Sequence, residues 1–480
     1  MTAASLTGKS IAGLKGPDTS MTKMLQCISP IDGSVFAERP VIEPAAAREI
    51  LAAARDAQRA WAARPLADRV AVVRAGVARL GEMQAEMVPE LAHMMGRPVR
   101  YGGEFGGTNE RASYMADIAE TALAPIVVEN SDKFERRIMR EPHGLVFVIA
   151  PWNYPYMTAI NTVAPALIAG NAVALKHATQ TLLVGERMVR AFEEAGLPKG
   201  LFVNLFLDHG TTEALIGTRE FDFINFTGSV GGGRAIERAA AGTFTGLGLE
   251  LGGKDPGYVM EDADLDAAAD TLIDGAMFNS GQCCCGIERI YVHESLYDAF
   301  IEKAVAIVSG YKLGNPMEEA TTLGPMAHKR FAALVREQTK EAVALGATPL
   351  IDPKLFPEDD GGAYLMPQIL TGVSHEMRVM REESFGPVVG IMKVKDDAEA
   401  IRLMNDSDFG LTASLWTKDT DRAAAIGAQL ETGSVFMNRA DYLDPGLCWT
   451  GCKDTGRGGA LSVIGFQNLT RPKSYHLKKA

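Results

Sequence analysis

The hydrophobic pattern of the chain changes period along its length. Between 44 and 65, "PAAAREILAAARDAQRAWAARP" sets apolar residues at helical spacing in an Ala-rich background, which predicts a helix. Two more helical stretches are expected around 66–80 and 82–95. Short apolar runs rich in β-branched and aromatic residues follow. "GLVFVIAPWNYP" (144–155) ends in two prolines and reads as a buried strand entering a loop. Segments 171–181, 201–206 and 221–228 read as further buried strands with helical segments between them, and that alternation implies a parallel, doubly wound sheet. A second α/β series runs from about 254 to 444, with "RIYVHE", "PVVGIMKV" and "GSVFMN" as strands. The tail "RPKSYHLKK" alternates polar and apolar residues and predicts an edge strand, expected to pair with another chain.

Length and charge narrow the picture. A chain of 480 residues exceeds one ordinary core, so two or three domains are expected. A formal charge of −12 argues against a nucleic-acid partner or an anionic membrane surface. No apolar stretch approaches the roughly 20 residues of a membrane span. The opening "MTAASLTGKSIAGLKGPDTSM" has no hydrophobic run of the signal-peptide type, so the cytoplasm is the expected location. Six cysteines are too few to staple such a chain, and they lack the paired spacing of a zinc site, so no metal is expected.

Three of those cysteines, Cys283, Cys284 and Cys285, are adjacent in "GQCCCGIER". A thiol there is either a nucleophile or buried core; as a nucleophile it needs a lowered pKa or a base. Glu250, just before Gly252 and Gly253, can face a cavity, and Asn153 lies where active-site loops of α/β sheets gather. Thiol, carboxylate and amide together suit acyl transfer. "FINFTGSVGGGRAIERAA" orders strand, glycine-rich turn and helix, an anion-binding arrangement that matches neither common nucleotide fingerprint. Spacing alone leaves it open between a phosphate turn and a flexible turn without ligand.

"PWNYP", "FTGSVGGG", "ELGGKDP", "GQCCCGIER" and "EESFGPV" occur in the order and at about the spacing of the aldehyde dehydrogenase superfamily, and the chain resembles that family over almost its whole length. The resemblance implies an α/β fold: a variant Rossmann cofactor domain (1–124 and 143–252), an α/β catalytic domain (253–455), and a small β bridging or oligomerisation element (125–142 and 456–480). It implies that Cys284, 34 residues after Glu250, attacks an aldehyde carbon to give a thiohemiacetal. Asn153 and the Cys284 backbone N–H would stabilise the oxyanion, at roughly 3–4 kcal/mol per donor. Glu250 would activate the water that hydrolyses the thioester. NAD or NADP is implied as cofactor, NAD slightly favoured. Lys176 and Glu383 resemble the ribose-binding pair, Phe385 the residue beside the nicotinamide ribose, Gly228, Ser229 and Gly233 the phosphate turn, and Trp152 the adjoining wall. A homodimer or homotetramer is implied.

The chain also departs from the family pattern. His177, Ala178 and Thr179 follow Lys176 where Pro, a small residue and often Glu are usual. Thr179 cannot repel a 2′-phosphate, so NADP is expected to be accepted as well. Val230 replaces a hydroxyl residue, and Thr162 and Ala460 stand where some members carry a proton-relaying Lys and Glu. Tyr154, Met157, Cys283, Cys285 and Trp449 suggest a mainly apolar substrate tunnel. Arg439, with Asp441 and Tyr442 nearby, either grips the carboxylate of a semialdehyde or pairs with Asp441 or Asp444. A coenzyme-A-acylating relative would lack the base that Glu250 supplies. A catalytically silent scaffold would not keep Cys284, Glu250 and Asn153 together.

Overall fold

Parallel strand pairing occurs twice in the computed structural model, which describes residues 23–440 and 442–479. The opening stretch read for a leader and Asp441 of the expected substrate mouth lie outside the described residues. The first sheet has six strands in the order Gly456–Arg457, Gly246–Glu250, Phe223–Thr227, Leu145–Ala150, Ala172–His177, Phe202–Asn204. All pairings are parallel except that of the short Gly456–Arg457 strand. Leu145–Ala150 and Ala172–His177 are buried at every position. Strands covered on both faces need continuous apolar runs, which is why these segments lack alternation.

The three helices expected at the start are Pro44–Ala62, Leu66–Glu82 and Gln84–Met95, the last closed by Gly96 at φ 84°. With Phe105–Ala122 and Pro155–Ala169 they contribute to the core that covers the first sheet. Trp61 ties two of them together, its indole N–H donating to the Leu167 carbonyl at 2.8 Å.

The second sheet has seven strands, Thr348–Pro349, Gln368–Thr371, Val388–Val394, Ile287–His293, Asp255–Val259, Thr412–Trp416 and Ser434–Met437. Only its first pairing is antiparallel. The "RIYVHE", "PVVGIMKV" and "GSVFMN" segments all fall in it.

The tail does form a strand, Thr470–Lys478, at one edge of a three-stranded sheet. Its partner is Phe134–Pro142 of the same chain, paired from Thr470 opposite Pro142 to Lys478 opposite Phe134. The opposite edge, Ile126–Asn130, exposes Ile126, Val127 and Val128. Residues between 456 and 469 do not join this sheet: Gly456–Arg457 pairs with Gly246–Glu250, and helix Ser462–Asn468 packs on Phe105–Ala122. Among the described residues no helix is long and apolar enough to cross a membrane.

This topology gathers the predicted residues. Lys176 and Glu250 lie at the carboxyl ends of first-sheet strands, and Asn153 and Gly228 follow such ends by a few residues. Cys284 lies on the loop that enters the second sheet at Ile287. The site is therefore the seam between the two sheets.

Candidate active site

Glu250 ends its strand almost fully buried, with Oε2 accepting from the Thr227 hydroxyl at 3.2 Å. Oε1 is buried without a hydrogen-bond partner among the described residues. Burial pushes the carboxyl up to about 7, against the opposing pull of Thr227. The carboxyl is thus poised to exchange a proton near neutrality.

The Gly252–Gly253 pair that follows shows why side chains are excluded there. A Cβ on Gly253 would stand 2.6 Å from the Cys284 carbonyl oxygen, and one on Gly252 would stand 2.3 Å from a Glu383 carboxylate oxygen. The exit from the Glu250 strand is wedged between the cysteine loop and the "EESFGP" segment. That loop carries three left-handed residues in succession, Asn279, Ser280 and Gly281, with φ of 55°, 55° and 70°. A Cβ on Gly281 would meet the Gly386 carbonyl at 2.2 Å, so only glycine fits.

Cys284 is half-buried, while Cys283 and Cys285 are buried with their sulfurs 3.5 Å apart. Hydrogen bonds from the Cys283 and Cys285 thiols hold Cys284 well below the ordinary thiol range. The same contacts drive the flanking thiols upward, Cys283 to about 12.

Asn153 is buried, and its side-chain amide makes no hydrogen bond among the described residues. Its carbonyl accepts from Arg97 Nη2 and from Asn279 Nδ2, the latter at 3.4 Å. Arg97 is the hub of this region. Its Nη1 meets Glu104 Oε1 at 2.6 Å, its Nε meets Asn279 Oδ1 at 3.3 Å, and its guanidinium lies 4.7 Å from the centre of the Tyr154 ring. The other Glu104 oxygen accepts from the Tyr156 and Met157 N–H groups at 2.9 and 2.8 Å, at the start of helix Pro155–Ala169. A negative charge at a helix N-terminus is favourable. The pair connects the Asn153 segment to the cysteine loop, and neither residue belonged to the motifs quoted from the sequence.

On the cofactor side, Ser229 caps helix Val230–Ala240, its Oγ accepting from Gly232 N at 3.2 Å. Cβ atoms on Gly228 and Gly232 would strike the Phe226 ring at 2.8 and 2.6 Å, and one on Gly233 would strike Leu251 at 2.6 Å. Three glycines of the turn and helix start are thus packed against Phe226 and Leu251. A cleft of about 360 Å³ runs from Val230 to Glu383, large enough to admit part of a dinucleotide. Trp152 stands nearly edge-on to Phe385 at 5.4 Å and stacks on Phe331 at 5.1 Å. Glu383 accepts from Gly253 N at 3.1 Å, and burial raises its carboxyl to about 8. Lys176 is buried and pushed down to about 8, with Thr179 half-buried at the turn beyond it. Lys176 and Glu383 make no contact with each other among the described residues. Beneath Phe385, Glu288 accepts from Ser384 N at 2.8 Å, Phe385 N at 2.9 Å and buried Lys254 Nζ at 2.5 Å. These residues fit a dinucleotide: a packed glycine turn capped at a helix N-terminus, an ammonium near a strand end, a carboxylate on the loop before Val388–Val394, and an aromatic wall.

The substrate-side expectations divide. Met157 packs on Gly107, and Tyr154 begins the same helix. Trp449 is only 5% exposed, in the core cluster that also holds Cys283 and Cys285. Arg439 is exposed and lies 3.5 Å from the Tyr442 ring centre, and the Tyr442 hydroxyl donates to Glu110 at 2.5 Å. Thr162 and Ala460 are both buried, and Ala460 pairs with Trp449 through the backbone. A further buried residue, Arg111, hydrogen-bonds Met157 and Asn161. Its signal in the sequence is an Arg on the apolar stripe of helix Phe105–Ala122. A larger cavity of about 810 Å³ opens beside Phe202 and Glu186, and none of the predicted site residues lines it.

Comparison with known proteins agrees with this geometry. Residues 17–475 match the aldehyde dehydrogenase family. The vanillin dehydrogenase of Corynebacterium glutamicum is 35% identical over 474 residues, covering 94% of each chain. An NADP-dependent succinate-semialdehyde dehydrogenase of Deinococcus radiodurans is 31% identical over 451 residues, covering 93% of each. The solved structure of an NADP-dependent glyceraldehyde-3-phosphate dehydrogenase from Bacillus halodurans, complexed with NADP, superimposes with a TM-score of 0.89 at 33% identity, covering 95% of this chain and 96% of that one.

The Arg97–Glu104 pair generates a stability prediction. Arg97→Met leaves a buried carboxylate unpaired and is expected to cost about 3–5 kcal/mol. Urea unfolding would show this as a lower midpoint, and a midpoint within error of wild type would refute the hub.

Proposed function

The chain belongs to the aldehyde dehydrogenase family and oxidises an aldehyde to the carboxylic acid with NAD(P)+, and on that premise we propose the residues that perform the reaction. The observation that carries the assignment is geometric: Glu250 ends its strand buried with Oε1 unpartnered among the described residues, and the Gly253 that follows it abuts the Cys284 carbonyl. Cys284 attacks the aldehyde carbon as a thiolate, forming the C–S bond and placing negative charge on the former carbonyl oxygen. The side-chain amide of Asn153 and the backbone N–H of Cys284 donate to that oxygen. A dinucleotide held by this site would supply the hydride acceptor, and loss of hydride from the same carbon would leave a thioester on Cys284. Glu250 then takes a proton from water through Oε1, and the hydroxide adds to the thioester carbon, expelling the thiolate and releasing the acid. With Thr162 and Ala460 in place of a relay, Glu250 serves as base alone.

Gly228, Ser229 and Gly233 would hold the pyrophosphate, Lys176 and Glu383 the two riboses, and Trp152 and Phe385 the nicotinamide side. Thr179 carries no charge, so both dinucleotides are accepted, and the Deinococcus radiodurans relative named for NADP favours this over NAD alone. The substrate tunnel is assigned to Tyr154, Met157, Cys283, Cys285 and Trp449. A cytoplasmic setting is favoured by six free thiols, three of them adjacent. The exposed edge Ile126–Asn130, with Val127 65% and Val128 57% exposed, favours a homodimer or homotetramer closed through the three-stranded sheet. That assembly would give the bridging element a partner.

Four outcomes follow from this reading. Cys284→Ala abolishes NAD(P) reduction with any aldehyde, and turnover surviving in it would refute the nucleophile. Because Glu250 works only when deprotonated, steady-state turnover rises with pH through about 7 and levels off above. Glu250→Gln removes that limb and leaves a single burst of NAD(P)H per site in stopped flow; an unchanged profile would exclude Glu250 as base. Thr179→Glu is expected to lower kcat/KM for NADP about tenfold or more while sparing NAD, through repulsion of the 2′-phosphate. Equal effects on the two dinucleotides would place Thr179 away from that phosphate. Val127→Asp is expected to lower the mass seen by light scattering, and an unchanged mass would move the interface elsewhere.

A further inference from the structure

Helix Phe105–Ala122 buries Thr108, Arg111, Ala112, Met115, Ala116 and Ala119, a stripe at helical spacing whose one charged member is Arg111. Its residue exposure is 9%. Its hydrogen bonds run from Nη1 alone, to the Met157 carbonyl at 3.2 Å and to Asn161 Oδ1 at 3.4 Å, both neutral acceptors. Nε and Nη2 make no hydrogen bond among the described residues. Of the carboxylates that act on it, Glu104 is engaged by Arg97 and the helix N–H groups and Glu110 by Tyr442, while Glu250 makes no hydrogen bond to it among the described residues. A buried guanidinium without a carboxylate of its own is costly, and a structure keeps one where an anion completes it.

The position is suited to that use. Met157 and Asn161 are one turn apart on helix Pro155–Ala169, which starts two residues after Asn153. Arg111 also interacts electrostatically with Cys284, Cys285 and Glu250. The guanidinium thus lies against the first turns of the helix that follows the Asn153 segment. Arg439, by contrast, is exposed and stacked on Tyr442.

We propose that Arg111 is a specificity-determining residue whose guanidinium receives a carboxylate carried by the aldehyde at the end away from the reacting carbon. This inference rests on the reading of Cys284 as nucleophile. Arg suits the role because its planar fork matches a carboxylate with two parallel donors, and Nε and Nη2 form one edge of that fork.

The test compares matched pairs: succinate semialdehyde with butanal, and 4-carboxybenzaldehyde with benzaldehyde. In Arg111→Gln the ratio of kcat/KM, charged over neutral, is expected to fall about 10- to 100-fold for at least one pair. The pair that responds tells whether the natural acid is aliphatic or aromatic. Arg111→Lys keeps the charge without the fork and should fall part-way; it decides the question alone if the Gln variant does not fold. A ratio that moves for neither pair overturns the proposal. So does an equal loss on charged and neutral members with a shifted pH dependence of Cys284 alkylation by iodoacetamide, which would assign Arg111 to the thiolate. Turnover persisting in Cys284→Ala would instead sink the site reading beneath it, a result distinct from an unmoved ratio.

Discussion

The buried ion pair between Arg97 and Glu104 is the interaction on which the rest of the site depends. Two charges taken out of water are tolerated only when every remaining donor and acceptor is used. Here the Arg97 nitrogens reach Glu104, the Asn153 carbonyl and Asn279, while the second Glu104 oxygen takes two N–H groups at a helix start. Shifting any of these segments would strand a buried charge. The segment that carries the Asn153 amide and the loop that carries Cys284 are therefore held in one register, although 131 residues separate them in the chain.

Within that frame burial pushes both Glu250 and Cys284 upward, and their neighbours decide the outcome. Desolvation raises Glu250 and outweighs the opposing pull of Thr227, Asn225 and Arg111. Cys284 is also desolvated, yet two neighbouring thiols donate to it and outweigh the penalty. A carboxyl near neutrality and an easily formed thiolate then coexist in one seam, the combination that thioester formation followed by hydrolysis requires.

The cofactor side is joined to the same seam by close backbone approaches. Gly252 abuts Glu383, Gly253 abuts Cys284, and Gly281 abuts Gly386, so the exit from the base strand, the thiol loop and the "EESFGP" segment meet without side chains between them. Glu288 adds a polar clamp, taking both the Ser384 and Phe385 N–H groups while paired to buried Lys254. Phe385 is held at φ 50°, a conformation that this clamp and the neighbouring packing sustain.

Local pattern was enough for much of this. Continuous apolar runs marked the strands of both sheets, Ala-rich helical spacing marked the first three helices, and five motifs in register marked Cys284, Glu250, Asn153 and the phosphate turn. These are features carried by neighbours in sequence, or by a motif order that a family shares. What only the tertiary structure decided is of another kind. It placed the tail strand on Phe134–Pro142 of its own chain, stacked Arg439 on Tyr442, buried Trp449, and buried Arg97, Glu104, Glu288 and Arg111 between the segments that meet at the seam. An arginine reads the same in a sequence whether water or a carboxylate surrounds it. Its role is set by groups tens to hundreds of residues away, brought near only when the two sheets close on each other.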